Sequence, residues 1–279
     1  MRRDPAPAKL GVLAGAGDLP ARLIAAARKD GRDVFVIAFE GHTPPDLVSG
    51  GVDHAWVRLG AAGAAIKALK KAGATDLVLA GAIRRPGLKE LRPDLTAARI
   101  LAKVGAAALG DDNLLRAIVK VLEEEQGFRV LAVEDILPDL LVPSGLLGRH
   151  APDDEARADM TRAAAVARAL GRLDVGQGAV VQQGLVLAVE ALEGTDAMLE
   201  RCAGLRRDGP GGVLVKVRKP QQDQRADLPT VGVATVNAAA AAGLRGIGVE
   251  AGGALIVDPD DTIAAADAAG LFLVGLDPP

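Results

Sequence analysis

The sequence predicts an α/β protein of two domains. Three observations carry that expectation. Short apolar runs alternate with stretches of helical period along most of the chain, the pattern of a parallel sheet buried by helices. The 279 residues exceed the usual size of one compact domain. Between Leu137 and Pro143 that alternation is interrupted by Pro138 and Pro143 with no helical period, which reads as a linker. The expected organisation is therefore an N-terminal Rossmann-like domain over 1–135, a linker over 136–143 and a C-terminal α/β domain over 144–279. The N-terminal sheet should be mostly parallel, with helices on both faces.

Each element has a local reason. Leu10–Ala14 is an apolar run that closes on Gly15-Ala16-Gly17. Leu19–Lys29 reads as a helix, with Asp18 as its cap and Pro20 in its first turn. Asp33–Phe39 is rich in Val, Ile and Phe and reads as a strand, Ile66–Ala72 as a helix stopped by Gly73, and Asp76–Ala80 as a buried strand ending at Gly81. Helices near Leu95–Leu109 and Asn113–Gln126 follow; Gly127 ends the second, and Phe128–Val133 returns as a strand. The second half opens with a helix, Asp153–Leu170, whose Asp153, Asp154 and Glu155 suit the positive end of the helix dipole. Gly178–Gln182 and Leu185–Leu192 form a hairpin about Gln183-Gly184. Strands at Val213–Val217, Gly246–Glu250, Ala254–Val257 and Leu271–Val274 alternate with helices at Thr230–Ala242 and Asp260–Ala269.

Composition excludes several function classes. A net charge of −3, no Tyr, one Trp and four Phe leave neither a basic footprint nor stacking rings for nucleic acid. A single cysteine, Cys202, excludes an internal disulfide or a cysteine-based zinc site and suits a reducing compartment. His42, His54 and His150 lie far apart, so any metal ligands should be oxygens, which points to Mg²⁺ or Mn²⁺. Neither a signal peptide nor a membrane span is evident, and a cytoplasmic protein is expected.

Five segments could carry chemistry. Gly15 and Gly17, before Asp18, let backbone N–H groups approach a phosphate or form a tight turn. With Glu40 beyond the second strand this admits an NAD-dependent enzyme, although Pro20 replaces the fingerprint's third glycine. Asp111, Asp112 and Asn113 after Gly110 could cap a helix, or meet a ribose, a base or a magnesium-bound water. Arg84-Arg85-Pro86 follows a strand end, where arginines could pair with phosphates or simply be solvated. The segment from Lys216 to Pro229 carries Lys219, Gln221, Gln222, Asp223, Arg225 and Asp227, between Pro220 and Pro229. The prolines exclude a regular helix, so the alternate acid, base and acid should face one way. Fully extended, Asp223 and Asp227 would stand about 13 Å apart, too far to share one ion, so the loop bends or their roles differ. Finally, Glu190, Glu193 and Asp196, with Thr195, crowd one strand end; such like charges are costly unless a cation gathers them.

Taken together these motifs resemble the LpxI-type UDP-2,3-diacylglucosamine pyrophosphatases of lipid A biosynthesis. The resemblance rests on Leu13–Pro20, on Gly110–Leu115, on Asp174-Val175-Gly176-Gln177, on Val189–Asp196, and on Lys219 through Gly232, in order along nearly the whole chain. Ala226 departs, standing where a bulkier apolar residue is usual, which bears on packing rather than chemistry. The resemblance implies Mg²⁺-dependent hydrolysis (Mn²⁺ a possible substitute) of the diphosphate in an amphipathic lipid nucleotide, giving UMP and 2,3-diacylglucosamine 1-phosphate. Asp223 or Asp227 would help hold the metal and orient water, with Glu193 or Asp196 completing the site and Arg225, Lys216 and Lys219 balancing the diphosphate. The glycine turn and the cluster at 111–113 would hold the polar head, with Thr195, Gln221 and Gln222 also on substrate. A homo-oligomer, a dimer, is expected. The alternatives are the NAD-dependent enzyme and a non-catalytic nucleotide-sugar binding protein.

Overall fold

The computed structural model describes residues 8–83, 91–104, 111–223, 225 and 228–278. The side chains of Val104, Asp111 and Asp112 lie outside that description. The chain divides into two compact units, 1–138 together with 223–227, and 139–222 together with 228–279.

The first unit is built on five parallel strands: β1 (Leu10–Ala14), β2 (Val34–Phe39), β3 (Asp53–Val57), β4 (Asp76–Ala80) and β5 (Arg129–Leu131). Their order in the sheet is β3-β2-β1-β4-β5, the half-order of a doubly wound fold that reverses beside β1. β1 is flanked on both sides, Leu10 pairing with Val34 and with Asp76, and its residues are apolar in succession because both faces are covered. The helices are α1 (Leu19–Lys29), α2 (Asp46–Ser49), α3 (Ala62–Ala72), α4 (Leu95–Val104) and α5 (Asp111–Lys120), which passes directly into a π-helical turn, Val121–Glu125. Gly73 and Gly127 stop their helices in the left-handed conformation, at φ 74° and 77°. Ile37, Leu69, Leu77, Val119, Leu122 and Val130 pack into one core beneath α3 and α5.

Two acidic residues that carry no chemistry hold this unit together. Asp94 accepts from Ala97 N–H (2.8 Å) at the start of α4 and from Gly63 N–H (2.7 Å) at the start of α3, capping two helices. Asp76, buried at the start of β4, takes Arg32 (2.5 Å) and both Nε and Nη2 of Arg129 (3.0 and 2.6 Å).

The second unit holds β6 (Gly145–Leu146), β7 (Gly178–Gln182), β8 (Leu185–Val189), β9 (Val213–Lys216), β11 (Gly246–Glu250) and β13 (Phe272–Leu276) in one sheet of order β6-β13-β11-β9-β7-β8. β9, β11 and β13 are parallel, whereas β7, β8 and β6 run antiparallel to their neighbours. A separate parallel pair joins β10 (Thr230–Val231) to β12 (Leu255–Ile256). Helix α6 (Asp154–Arg172) covers one face through Ala156, Met160, Ala163 and Ala167. Helices α7 (Gly194–Ala203), α8 (Val233–Ala241) and α9 (Pro259–Ala268) cover the other, against Val180, Leu214 and Ile247. Asp153 caps α6 by accepting from Ala156 N–H at 2.8 Å. Gln183 and Gly184 turn the β7–β8 hairpin with φ 52° and 74°, the two left-handed residues that match strand twist.

Several boundaries differ from the sequence reading. β3 was not foreseen; it is an edge strand whose Asp53, His54 and Trp56 are exposed, so it lacks the apolar run that marks its neighbours. The helix expected from Thr230 begins only at Val233, because Thr230 and Val231 pair with Leu255 and Ile256 and Gly232 is extended at φ −161°. The strand expected to reach Leu192 ends at Val189, and that expected over Phe128–Val133 shrinks to Arg129–Leu131 before a 3₁₀ turn, Val133–Asp135. In the 136–143 stretch, Val142 donates to Ala254 and accepts from Gly252, so it belongs to the second unit. Asp18 stands at the cap position of α1, but its side chain makes no capping bond.

Candidate active site

In the first unit the glycine turn after β1 serves the backbone before any ligand. Gly15 N–H donates to Ala80 (2.7 Å), Ala16 N–H to Ala82 (2.8 Å), and Ala82 N–H returns to Ala16 (3.0 Å). A methyl group at Gly15 would lie 2.5 Å from the Ala82 carbonyl oxygen, so glycine is required there for the ends of β1 and β4 to meet. Two of the donors a phosphate would need are thus engaged, which removes support from the dinucleotide reading. Gly17 (φ 89°) and Asp18 remain exposed at the start of α1. Arg84, Arg85, Pro86, Gly110 and Asp227 lie outside the described residues, as do the side chains of Asp111 and Asp112.

The same unit contains the densest charge cluster among the predicted residues. Arg225 Nε and Nη2 donate to the two oxygens of Asp223 (2.9 and 2.8 Å), while Nη1 donates to both oxygens of Glu123 (2.8 and 2.8 Å). One guanidinium is thereby gripped by two carboxylates, a fork geometry lysine cannot reproduce. Arg225 N–H also donates to Asp223 at 3.1 Å. The Arg225 guanidinium holds the Asp223 carboxyl below its usual range against the opposing effect of burial, with a smaller push from Arg116. The paired carboxylates hold the guanidinium proton more tightly than usual, Asp223 contributing most. Arg116 in turn donates to Asn113 (2.5 Å). Neither Glu123 nor Arg116 was singled out by sequence. Glu123 sits in a run of three glutamates with no distinguishing spacing; the irregularity that marks it is the π-helical turn, a feature frequent at functional sites.

In the second unit the crowded strand end after β8 resolves inside the protein. Thr195 donates to Glu190 at 2.6 Å, and Arg201 Nη2 donates to Glu193 at 2.8 Å. Hydrogen bonding from Arg201 lowers the Glu193 carboxyl from its ordinary value. Asp196 is exposed in the first turn of α7. Lys216, 5% exposed at the end of β9, donates to the Thr230 carbonyl at 3.2 Å. Lys219 is paired with Asp174 at 2.8 Å, Gln222 Oε1 accepts from Lys219 N–H at 3.2 Å, and Gln221 donates to the Gly171 carbonyl at 2.5 Å. These bonds hold the start of the 216–229 segment against the end of α6 and the turn after it.

Among the described residues no three acidic, histidine or cysteine side chains gather as a metal site would require. Three carboxylates are engaged by arginines instead: Asp223 and Glu123 by Arg225, Glu193 by Arg201. A preformed all-protein cage is therefore not what these side chains make. Mg²⁺ is often held by one or two carboxylates plus substrate phosphates, a mode that needs no such cage. Among the described residues, no helix is long and apolar enough to cross a membrane.

Comparison with known proteins extends the geometry to a family. The model of the LpxI N-terminal domain matches residues 9–140, and that of the LpxI C-terminal domain matches residues 143–274. The UDP-2,3-diacylglucosamine pyrophosphatase LpxI of Caulobacter vibrioides is 45% identical over 278 residues, spanning 97% of this chain and 98% of its own length. With both domain models matched in order and a relative of that identity aligned over nearly its whole length, the chain belongs to the LpxI family.

Proposed function

We propose that this protein hydrolyses the diphosphate of UDP-2,3-diacylglucosamine to UMP and 2,3-diacylglucosamine 1-phosphate in lipid A biosynthesis. The observation that carries this is the end-to-end similarity to a pyrophosphatase of that name. The clustering of Asp223 with Arg225 gives the reading its chemistry. Phosphoryl transfer asks for positioning and charge balance more than for covalent catalysis. Asp223, kept ionised by Arg225, orients the attacking water together with Asp227. Lys216, with only a carbonyl as its described partner, and Lys219 supply positive charge to the diphosphate. When bound, Mg²⁺ or Mn²⁺ neutralises charge on the diphosphate oxygens; Asp223 and Asp227 are its proposed protein ligands, with Glu193 and Asp196 the second pair. Gly17, Asp18, the cluster at 111–113, Thr195, Gln221 and Gln222 are proposed contacts of the polar head. The protein works in the cytoplasm as a homodimer, meeting its lipid nucleotide at the membrane surface without spanning it. UMP release from the lipid nucleotide, measured with and without EDTA, tests the reading. No release in the presence of Mg²⁺ overturns it.

A further inference from the structure

A cavity of about 240 Å³ opens at the amino-terminal edge of the first unit's sheet, lined by Lys9, Arg28 and Arg32 together with Asp33 and Asp53. The chain path explains why these charges meet. Leu10 pairs with Val34 and its N–H bonds the Asp33 carbonyl, so Lys9 and Asp33 stand side by side one step before β1 and β2 begin. Asp53 opens β3 opposite Phe35. Arg28 lies in the last turn of α1, and Gly31, left-handed at φ 73°, doubles the chain back so that Arg32 follows close behind. The glycine turn lies beyond the far end of β1, five residues or about 16 Å away. Glu123 lies beside β5, at the opposite edge of the sheet from β3. The cavity is therefore separate from both parts of the candidate active site in this unit.

The cations around it are only partly answered. Arg32 is 15% exposed at the side chain and fixed in place, Nε donating to the Ala8 carbonyl (3.1 Å) and Nη2 to Asp76 (2.5 Å). Asp76 also takes Arg129, so one carboxylate serves two guanidinium groups. Lys9 has only Asp53, at 3.8 Å, and that carboxylate is 77% exposed. Arg28 makes no ion pair among the described residues, and Asp33 is exposed on the rim. Lys9, Arg28, Arg32 and Arg129 thus stand against Asp33, Asp53 and Asp76, an excess of one positive charge. The last carbonyls of α1, which would repel an anion, are already closed by the N–H groups of Asp30, Gly31 and Arg32.

We infer that this cavity binds a phosphate dianion, free or carried by a small monoester, between Lys9, Arg28 and Arg32. Guanidinium groups match phosphate oxygens in pairs, and the Lys9 ammonium adds a point charge. The volume holds a tetrahedral anion with several waters, at roughly 30 Å³ each. No aromatic ring lines the cavity and Val34 is its one bulky apolar residue, so it offers a base or an acyl chain nothing to lie against. A bound anion replaces the loose Asp53 contact of Lys9, and Asp53 turns to solvent. The inference is independent of the hydrolase reading.

The test is calorimetry on the full-length protein, in Mg²⁺-free chloride buffer above the second ionisation of phosphate. Inorganic phosphate and glycerol 1-phosphate are titrated separately into wild type, Arg28→Glu and Asp53→Asn. Arg28→Glu is expected to weaken binding about tenfold or more, the scale of a lost charge-assisted hydrogen bond. Asp53→Asn frees Lys9 and removes a repelling charge, so it should tighten binding, and the gain should shrink as chloride is raised. Because the two variants move affinity in opposite directions, a general loss of folding cannot imitate the result. Saturable binding of phosphate alone identifies the free anion as the ligand, and preference for glycerol 1-phosphate identifies the ester. No saturable binding of either by wild type, affinity unchanged in Arg28→Glu, or weakened binding in Asp53→Asn overturns the assignment.

Discussion

Asp223→Ala separates catalysis from folding because Arg225 has a second anchor. The substitution removes three hydrogen bonds, from Arg225 N, Nε and Nη2. The guanidinium keeps both of its bonds to Glu123, so no buried charge is abandoned. Asp223 is 17% and Arg225 38% exposed at the side chain, so solvent screens part of their attraction. The expected stability cost is about 1–2 kcal/mol, a fall in Tm of a few degrees. Loss of the group that orients water should instead cost kcat at least about 100-fold, near 2.7 kcal/mol of barrier. Substrate binding should largely survive, since Lys216 and Lys219 remain. Asp227→Ala is expected to lose kcat on the same scale. The assay compares UMP release, substrate Kd and Tm for both variants beside wild type. If both fold and keep kcat within about threefold of wild type, well short of that loss, the reasoning is refuted and the catalytic assignment moves to Glu193 and Asp196.

The same geometry has a pH signature. Because Arg225 holds Asp223 below the usual carboxylate range, the acid limb of kcat/KM should lie below it in wild type. Arg225→Ala removes the main lowering influence and keeps burial, which raises the carboxyl, so the limb should move to higher pH. An unmoved limb would show that Asp223 is not the titrating group.

Activity should require Mg²⁺ or Mn²⁺; full turnover after exhaustive EDTA treatment contradicts the oxygen-ligand reading. Residues 1–135 are expected to fold apart from about 140–279, and neither fragment alone should turn over substrate. Asp223 and Arg225 belong to the first unit although they lie late in the sequence, so hydrolysis by either isolated fragment refutes the expectation. Asp76→Asn should destabilise the first unit by about 1–3 kcal/mol at pH 7. Burial raises the Asp76 carboxyl, but hydrogen bonds from Arg129 and Arg32 outweigh it and lower the group below its ordinary value. Its contribution is therefore present above the unfolded value of about 3.9 and is lost as pH falls through the folded one. Urea unfolding should show the gap between wild type and variant closing in acid; a constant gap would assign the effect to packing.

Much of the fold was legible because local pattern and burial agree. β1, β4, β7 and β11 have the bounds expected of them, since each is buried nearly along its length and bounded by turn residues. Elements whose partners decide them were not legible. β3 is an exposed edge, and Thr230-Val231 became a strand only because Leu255-Ile256 lay beside it. The π-helical turn at Val121–Glu125 has no signature in a sequence that reads as continuous helix.

The candidate site divides the same way. Residue types alone led to the expectation that the chemistry rests on carboxylates and cations, because a single cysteine and three scattered histidines offer no metal or nucleophile cluster. The acid, base and acid of the 223–227 segment were visible as a pattern, and so was the charge crowding at Glu190, Glu193 and Asp196. Only the tertiary structure decided which of these charges are already answered. Arg201 takes Glu193, Thr195 takes one oxygen of Glu190, and Glu123, 102 positions before Arg225, closes the clamp on it. Hydrogen-bond partners at such separations are set by how strands and helices pack, and one chain read in order contains no term for that distance. For the same reason Gly178 passes unnoticed in sequence, while in the sheet the Glu190 carboxylate lies where a side chain at that position would stand.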